Sequence, residues 1–337
     1  MATHNGARYL EEQLASFVAQ ARPPDELVVS DDGSVDATLD ILERFAEGAP
    51  FPVRIHRTDE RLGFAQNFNR ALLRCSGDLI FLSDQDDYWL PDKIRTVADI
   101  AARDPQHAVF VNDAVLTDSA LAPTSLTALG QHRAAGLSEH AFVKGCCVAV
   151  RASFLSWILP IPEGYPSHDR WIVQFAERLG RRRIIETPPL QLYRRHPTTA
   201  SAADMAQPRA VSRLRFMRAR LRANLERDYA EVLEARRRQT CLMLDRAQSR
   251  LRTAAGTDEL LERLVADLKH QCDTLDVRLR LLRTGRLKRL LPIAGMVLSG
   301  RYRRFYGGVW TALQDTILAK GSPPACNESA APPPART

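Results

Sequence analysis

Through the first 200 residues, short runs of β-branched and aliphatic residues alternate with stretches whose apolar positions recur at helical spacing. The runs predict strands at 26–30 (ELVVS), 53–57 (VRIHR), 78–83 (DLIFLS), 108–112 (AVFVN), 143–150 and 183–186. Between them, 7–20, 36–47 and 64–74 predict amphipathic helices, with Ser34 and Asp36 placed where a helix start uses polar caps. Strands alternating with helices predict an α/β fold with a parallel or mixed sheet.

The pattern changes near Pro208. Long Arg- and Leu-rich segments follow, without strand signals and broken near Gly256, Gly285 and Pro292, and they predict two or three helices. Residues 321–337 are rich in Pro, Ala and Ser and are expected to be disordered. The domain expectation is therefore a catalytic α/β domain over 1–207, a basic helical region over 208–320 and a tail over 321–337.

Charge sharpens that division. The net charge of +7 combines 21 Lys/Arg against 27 Asp/Glu in residues 1–208 with 24 against 11 in residues 209–304. The six cysteines show no CxxC pair, so neither a zinc site nor a disulfide framework is indicated, and a reducing cytosol fits. No run of about 18 apolar residues exists to span a membrane. The basic segment lacks interleaved aromatics, which argues against a nucleic-acid partner. Leu287, Leu290, Leu291, Ile293, Met296, Val297 and Leu298 stand beside Arg286, Lys288, Arg289, Arg301, Arg303 and Arg304, followed by Tyr302, Phe305, Tyr306 and Trp310. This arrangement predicts contact with an anionic membrane surface, and packing back onto the protein is the alternative.

Three acidic clusters fall at or after predicted strand ends, where open α/β sheets place ligands. Asp31-Asp32-Gly33-Ser34-Val35-Asp36 can accept hydrogen bonds from a base or a ribose, or form a strand-to-helix turn. Asp84-Gln85-Asp86-Asp87 gathers carboxylates whose repulsion a divalent cation such as Mg²⁺ or Mn²⁺ offsets, although acidic surface turns are common. In His168-Asp169-Arg170-Trp171, an aspartate at a helix start is a base or a cap. His196, in LYRRH, is a metal or diphosphate contact or a solvated loop residue.

Taken in order, ATHNGARYLEEQLAS, DELVVSDDGSVDAT, LGFAQNFNRAL, GDLIFLSDQDDYWLPDKI, KGCCVAVRASFL, SHDRW and LYRRH resemble the family-2 inverting glycosyltransferases, and within them the rhamnosyltransferase-like branch. The resemblance covers about residues 1–200. It implies a GT-A fold, with a Rossmann-like mixed sheet flanked by helices and, here, a basic helical C-terminal extension. It further implies a nucleotide-sugar donor (a dTDP- or UDP-sugar) bound by Thr3, Asn5, Gly6, Asp31, Asp32 and Asp84. Asp86 is then the metal ligand, with His196 beside it, and Asp169 the catalytic base. The acceptor is a glycan or lipid-linked precursor, and the location is cytoplasmic, peripheral on the inner face of the plasma membrane. Gly145-Cys146-Cys147 falls beside the implied acceptor pocket, and the two cysteines are expected to pack as core residues.

Family members usually carry an apolar strand ahead of the ATxNG segment, and here Met1 stands almost directly before it. The expectation is a longer natural chain, and without that strand unpaired ladder groups and an exposed apolar cleft. His4 and Arg170 also depart from the family pattern and bear on donor and acceptor identity. A sugar nucleotidyltransferase is the alternative enzyme, but no Gly-rich basic loop stands near the start. A basic scaffold protein is the non-catalytic alternative.

Overall fold

The computed structural model describes residues 1–196, 210–226, 228–253, 258–302 and 309–317. The α/β architecture predicted from the sequence is present, followed by a basic helical part.

Strand β1 (Ala2–Thr3) pairs in parallel with β2 (Leu27–Asp31), and β2 with β3 (Val53–Arg57). Helix α1 (Ala7–Val18) buries Leu10, Leu14 and Phe17 against this layer, and α2 (Thr38–Gly48) buries Ile41 and Leu42. Helix α3 (Phe64–Leu72) leads to β4 (Leu79–Phe81), β5 (Tyr88–Trp89) and α4 (Lys93–Arg103). Next come β6 (Val109–Asn112), β7 (Val115–Thr117), β8 (Pro123–Thr127) and α5 (Ala128–Ala134). The α/β part closes with β9 (Val148–Arg151), α6 (Ala152–Ile158), α7 (His168–Arg178), β10 (Arg182–Ile185) and β11 (Gln191–Arg194). The second sheet has the order β10-β6-β9-β4, with β9 antiparallel to both neighbours. A third, β5-β11-β7-β8, carries residues of the acidic loop's neighbourhood.

Several expectations are corrected. The strand predicted over 143–150 begins only at Val148, because Gly145–Cys147 form a 3₁₀ turn in which Cys147 N–H donates to Lys144 C=O at 3.0 Å. Helix α2 starts at Thr38, later than predicted, since Asp36 accepts the Thr38 N–H at 3.1 Å from outside the helix. Strands β5, β7, β8 and β11 had no sequence signal.

A cavity of about 210 Å³ lies between β2 and β4, lined by Val28, Leu79, Phe81, Phe17, Trp89 and Met1. The Met1 ammonium is buried there and donates to Val28 C=O at 2.7 Å, and burial pulls its pKa below the usual value.

The chain divides into two compact units, one of Met1–Leu221 with Leu242–Val265, the other of Arg222–Cys241 with Ala266–Thr337. The composition change near residue 208 is not a boundary between them. The helical part comprises α8 (Arg213–Glu226), α9 (Tyr229–Thr253), α10 (Glu259–Leu282), α11 (Arg286–Leu298) and α12 (Val309–Ile317). In the second unit, Ile293 and Met296 pack with Tyr302 and Ala312, so they leave the apolar surface predicted for membrane contact. Arg289 is buried as well, donating to Thr284 C=O at 3.0 Å, and the Tyr302 hydroxyl donates to Asp315 at 2.6 Å. What remains exposed on α11 is Leu287, Leu290, Leu291 and Leu298. Arg303, Arg304, Phe305, Tyr306 and the tail at 321–337 lie outside the described residues, as does the side chain of Trp310.

Candidate active site

Thr3 and Asp31 sit in register at the ends of β1 and β2. Thr3 Oγ1 and Ser34 Oγ both donate to Asp31 Oδ2, at 2.7 and 2.6 Å, and Ser34 N–H donates to Oδ1 at 2.8 Å. Asp31 is fully buried, and both its oxygens serve the turn. Asp32 accepts the Leu62 and Gly63 N–H groups at 2.6 and 2.9 Å, fixing the entry to α3. Asn5, at a φ of 48°, accepts Val35 N–H at 2.9 Å. Gly6 is required by contact: a Cβ there would lie 2.3 Å from Gln85 Oε1. Gln85 in turn holds the His4 backbone with bonds of 2.8 and 3.1 Å. Five of the six residues assigned to the donor thus lie in loops that hydrogen bonds tie together, and the side chains of Asp31 and Asp32 hold those loops.

The acidic loop between β4 and β5 forms the next wall. The Asp84 carboxylate is half-buried and receives no hydrogen bond among the described residues. Burial, then Asp86, Asp87 and Asp169, push its pKa well above the usual carboxylate range. Asp86 Oδ2 lies 2.8 Å from His196 Nε2, so the two residues assigned to the metal are joined. Tyr9 packs on the His196 ring at 4.8 Å, and the Arg194 guanidinium lies over Tyr9 at 4.5 Å. Asp87 is buried and accepts the Arg194 N–H at 3.1 Å, and burial and Asp86 raise its pKa to about 7. Lys93 is buried beside it, donating to Cys146 C=O at 2.9 Å, and burial lowers its pKa to about 8. Asp84, Asp87 and Cys146 also bring ligand atoms within 4.8 Å of one another. Carboxylates in mutual repulsion, one lacking any donor, form a donor set that fits Mg²⁺ or Mn²⁺.

Asp169 lies in the first turn of α7, one residue inside His168, while Ser167 occupies the cap position. Its Oδ1 accepts the Arg170 N–H at 2.7 Å and the Ser167 hydroxyl. Its charge is felt at Asp84, so the predicted base and the acidic loop share one electrostatic field. Gly145 packs closely beside it, since a Cβ there would lie 3.4 Å from Asp169 Oδ2 and 3.1 Å from His168 Nε2. Cys146 and Cys147 are buried, as expected.

Sequence reasoning missed Gln85, Lys93, Tyr9 and Arg194. All four lie inside the quoted motif segments, but each reaches the site through a partner 53 to 187 residues away, which the local sequence does not show.

Residues 1–150 match the glycosyl transferase family 2 profile. The dTDP-rhamnosyl transferase RfbG of Shigella flexneri is 28% identical over 235 residues, 65% of this chain and 79% of that protein. An uncharacterized glycosyltransferase of Nostoc sp. is 31% identical over 101 residues, 30% of this chain and 31% of that protein. Among solved structures, S. aureus TarS (residues 1–349) shares 15% identity with a TM-score of 0.49, over 80% of this chain and 69% of that one, a likeness too remote to support an inference. The similarity to glycosyl transferase family 2 thus covers the first 150 residues of the chain, and that to the Shigella protein 65% of it.

Proposed function

We propose that this glycosyltransferase moves a sugar from a nucleoside-diphosphate donor to a hydroxyl of a glycan or lipid-linked acceptor, with inversion and with help from a divalent cation. The first candidate donor is dTDP-rhamnose, from the name of the Shigella relative. The observation that carries the reading is the Asp84 carboxylate, without a hydrogen-bond donor, set between Asp86 and the field of Asp169.

In this account the crevice framed by Thr3, Asn5, Gly6, Asp31 and Asp32 seats the nucleoside. Asp84 faces the ribose and sugar. Mg²⁺ or Mn²⁺ held by Asp86, with His196 beside it, would supply neutralisation of the charge that grows on the leaving diphosphate. Asp169 takes the proton of the acceptor hydroxyl as that oxygen attacks the anomeric carbon from the opposite face.

Calorimetric titration with a panel of dTDP- and UDP-sugars in Mn²⁺ tests the donor side. Binding of dTDP-rhamnose ahead of the UDP-sugars supports the assignment, and preference for a UDP-sugar redirects it.

No helix among the described residues is long and apolar enough to cross a membrane. The exposed Leu287, Leu291 and Leu298 fall on one face of α11 with Lys288 nearby, which supports contact with an anionic surface. Co-sedimentation with anionic but not neutral vesicles, lost when the three leucines become serine, is the expected result. Equal recovery in the supernatant with both lipids would count against it.

A further inference from the structure

Cys241 Sγ on α9 lies 3.3 Å from Cys272 Sγ on α10, 31 residues later. Both cysteines belong to the second unit. One turn away on each helix Arg237 pairs with Asp276, and a further turn along Leu233 packs with Leu275. The facing positions fall in number on α9 as they rise on α10, so the helices run antiparallel and the two thiols meet in the register of the pair. Closing 3.3 Å to the roughly 2.05 Å of a disulfide takes about 1.2 Å of approach, which side-chain rotation and a slight helix shift can supply.

The two sulfurs are not equivalent. Cys241 is half-buried and Cys272 is buried with 7% exposure, so an oxidant as small as a peroxide meets Cys241 first. Burial and the neighbouring Cys241 push the Cys272 thiol up, and it keeps its proton near neutral pH. Cys241 is then the attacking sulfur and Cys272 the resolving one.

We propose that Cys241 and Cys272 form an oxidation site, which a peroxide converts to a disulfide tying α9 to α10 and a thiol reductant reopens. Cys241, as the thiolate, attacks one peroxide oxygen; the O–O bond breaks, and the hydroxide that leaves takes up the proton Cys241 released. The Cys272 sulfur then attacks the sulfenic sulfur of Cys241. The S–O bond breaks as the S–S bond forms, and the departing hydroxide takes the Cys272 proton. In sum, two thiols and one hydrogen peroxide give a disulfide and two waters, with two electrons passing from sulfur to oxygen. The bond closes a loop whose interior stretch, Leu242–Val265, belongs to the first unit. A cross-link of this kind removes freedom from the unfolded chain, so the oxidised protein should resist urea better than the reduced one.

The full chain, reduced and desalted, is treated with equimolar hydrogen peroxide, unfolded in N-ethylmaleimide, digested with trypsin and mapped by mass. The expected product is peptide 239–246 joined through Cys241 to peptide 270–278 through Cys272, two hydrogens lighter than their sum and separated again by dithiothreitol. Cys146 and Cys147, buried with sulfurs 4.0 Å apart, should remain alkylated. Cys241→Ser should lose the joined peptide, and the oxidised wild type should unfold at higher urea than the reduced protein. Links mainly through other cysteines, links only between two molecules, Cys241 carried to sulfinic acid without a link, or an oxidised protein no harder to unfold would each overturn the proposal. Should Cys241→Ser fail to fold, the peptide map and urea curves of the wild type decide alone. The readout is covalent and does not depend on turnover.

Discussion

His196 Nε2 lies 2.8 Å from Asp86 Oδ2, joining the end of the α/β chain to the acidic loop 110 residues earlier. The contact sets a carboxylate and an imidazole side by side, both largely buried. The Asp86 side chain is 19% exposed and its carboxylate bonds His196 rather than an apolar core, so Asp86→Ala should fold normally. Its loss should cost metal-dependent turnover at least about a hundredfold, given the several kcal/mol that a cation supplies to a leaving group. Donor turnover against Mn²⁺ concentration, with a melting curve for each protein, checks both halves. Full activity in the variant or in excess chelator would remove Asp86 from the metal site.

His168 predicts a pH dependence of stability. Its pKa is about 4 in the folded chain, against the ordinary 6.5 of an exposed histidine. The unfolded chain thus binds a proton that the folded chain refuses, and stability falls as pH drops from about 6.5 through 4. Asp169, the charged neighbour, works in the opposite direction and is outweighed by burial. Urea melts at pH 7, 5.5 and 4.5 should show a shallower decline for His168→Phe than for wild type. Parallel declines would mean that the ring is not held neutral.

In the second unit, Asp315 accepts from Arg278 Nε at 2.7 Å, from Tyr229 at 2.7 Å and from Tyr302 at 2.6 Å. Arg278 and Asp315 are both almost fully buried. Removing one partner leaves the other charge buried and unpaired, so Asp315→Ala should destabilise this unit by about 3–5 kcal/mol. Chemical denaturation monitored by helical circular dichroism measures it. A change under about 1 kcal/mol would show that water reaches Arg278.

The two strand edges facing the 210 Å³ cavity supply a fourth expectation. Residues 79–81 of β4 are in antiparallel register with β9. The bonds from Ala152 N–H to Asp78 C=O and from Leu82 N–H to Val148 C=O turn the backbone groups of the even positions toward β9, and Ser83, in the alternate row with Leu79 and Phe81, accepts Ala2 N–H at 3.4 Å. An extended apolar tetrapeptide joined to the Met1 nitrogen would replace a buried ammonium by an amide and meet both edges. It should raise the melting temperature by roughly 2–4 °C per kcal/mol gained, where a Gly-Ser extension of equal length does not. Equal melting of the two would show that the cavity does not take a strand.

Legibility in the sequence follows the range of the interactions. Strands β2 and β3 were readable because LVVS and VRIHR carry their own β-branched pattern. Strands β5 and β11 were not, since Tyr88 becomes a strand residue through pairing with Leu192 about a hundred positions later, and Leu192 through Tyr88 and Val115. The acidic clusters were visible as composition. Their division of labour was not: Asp31 is occupied by Thr3 and Ser34, whereas Asp84 lacks a hydrogen-bond donor, and both read as aspartates after a strand. On α11, the heptad-like leucines did not reveal which side the unit would cover, so Ile293 and Met296 were grouped with residues that remain exposed.

Release of dTDP coupled to sugar transfer from dTDP-rhamnose in Mn²⁺, measured for wild type and for Asp169→Asn, tests the central claim most directly. The amide preserves shape but cannot take the proton, so the variant should bind donor as wild type does and transfer about 10²–10⁴-fold more slowly. Transfer by Asp169→Asn within about tenfold of wild type would place the base elsewhere. No release by wild type from any nucleotide sugar would contradict the account as a whole.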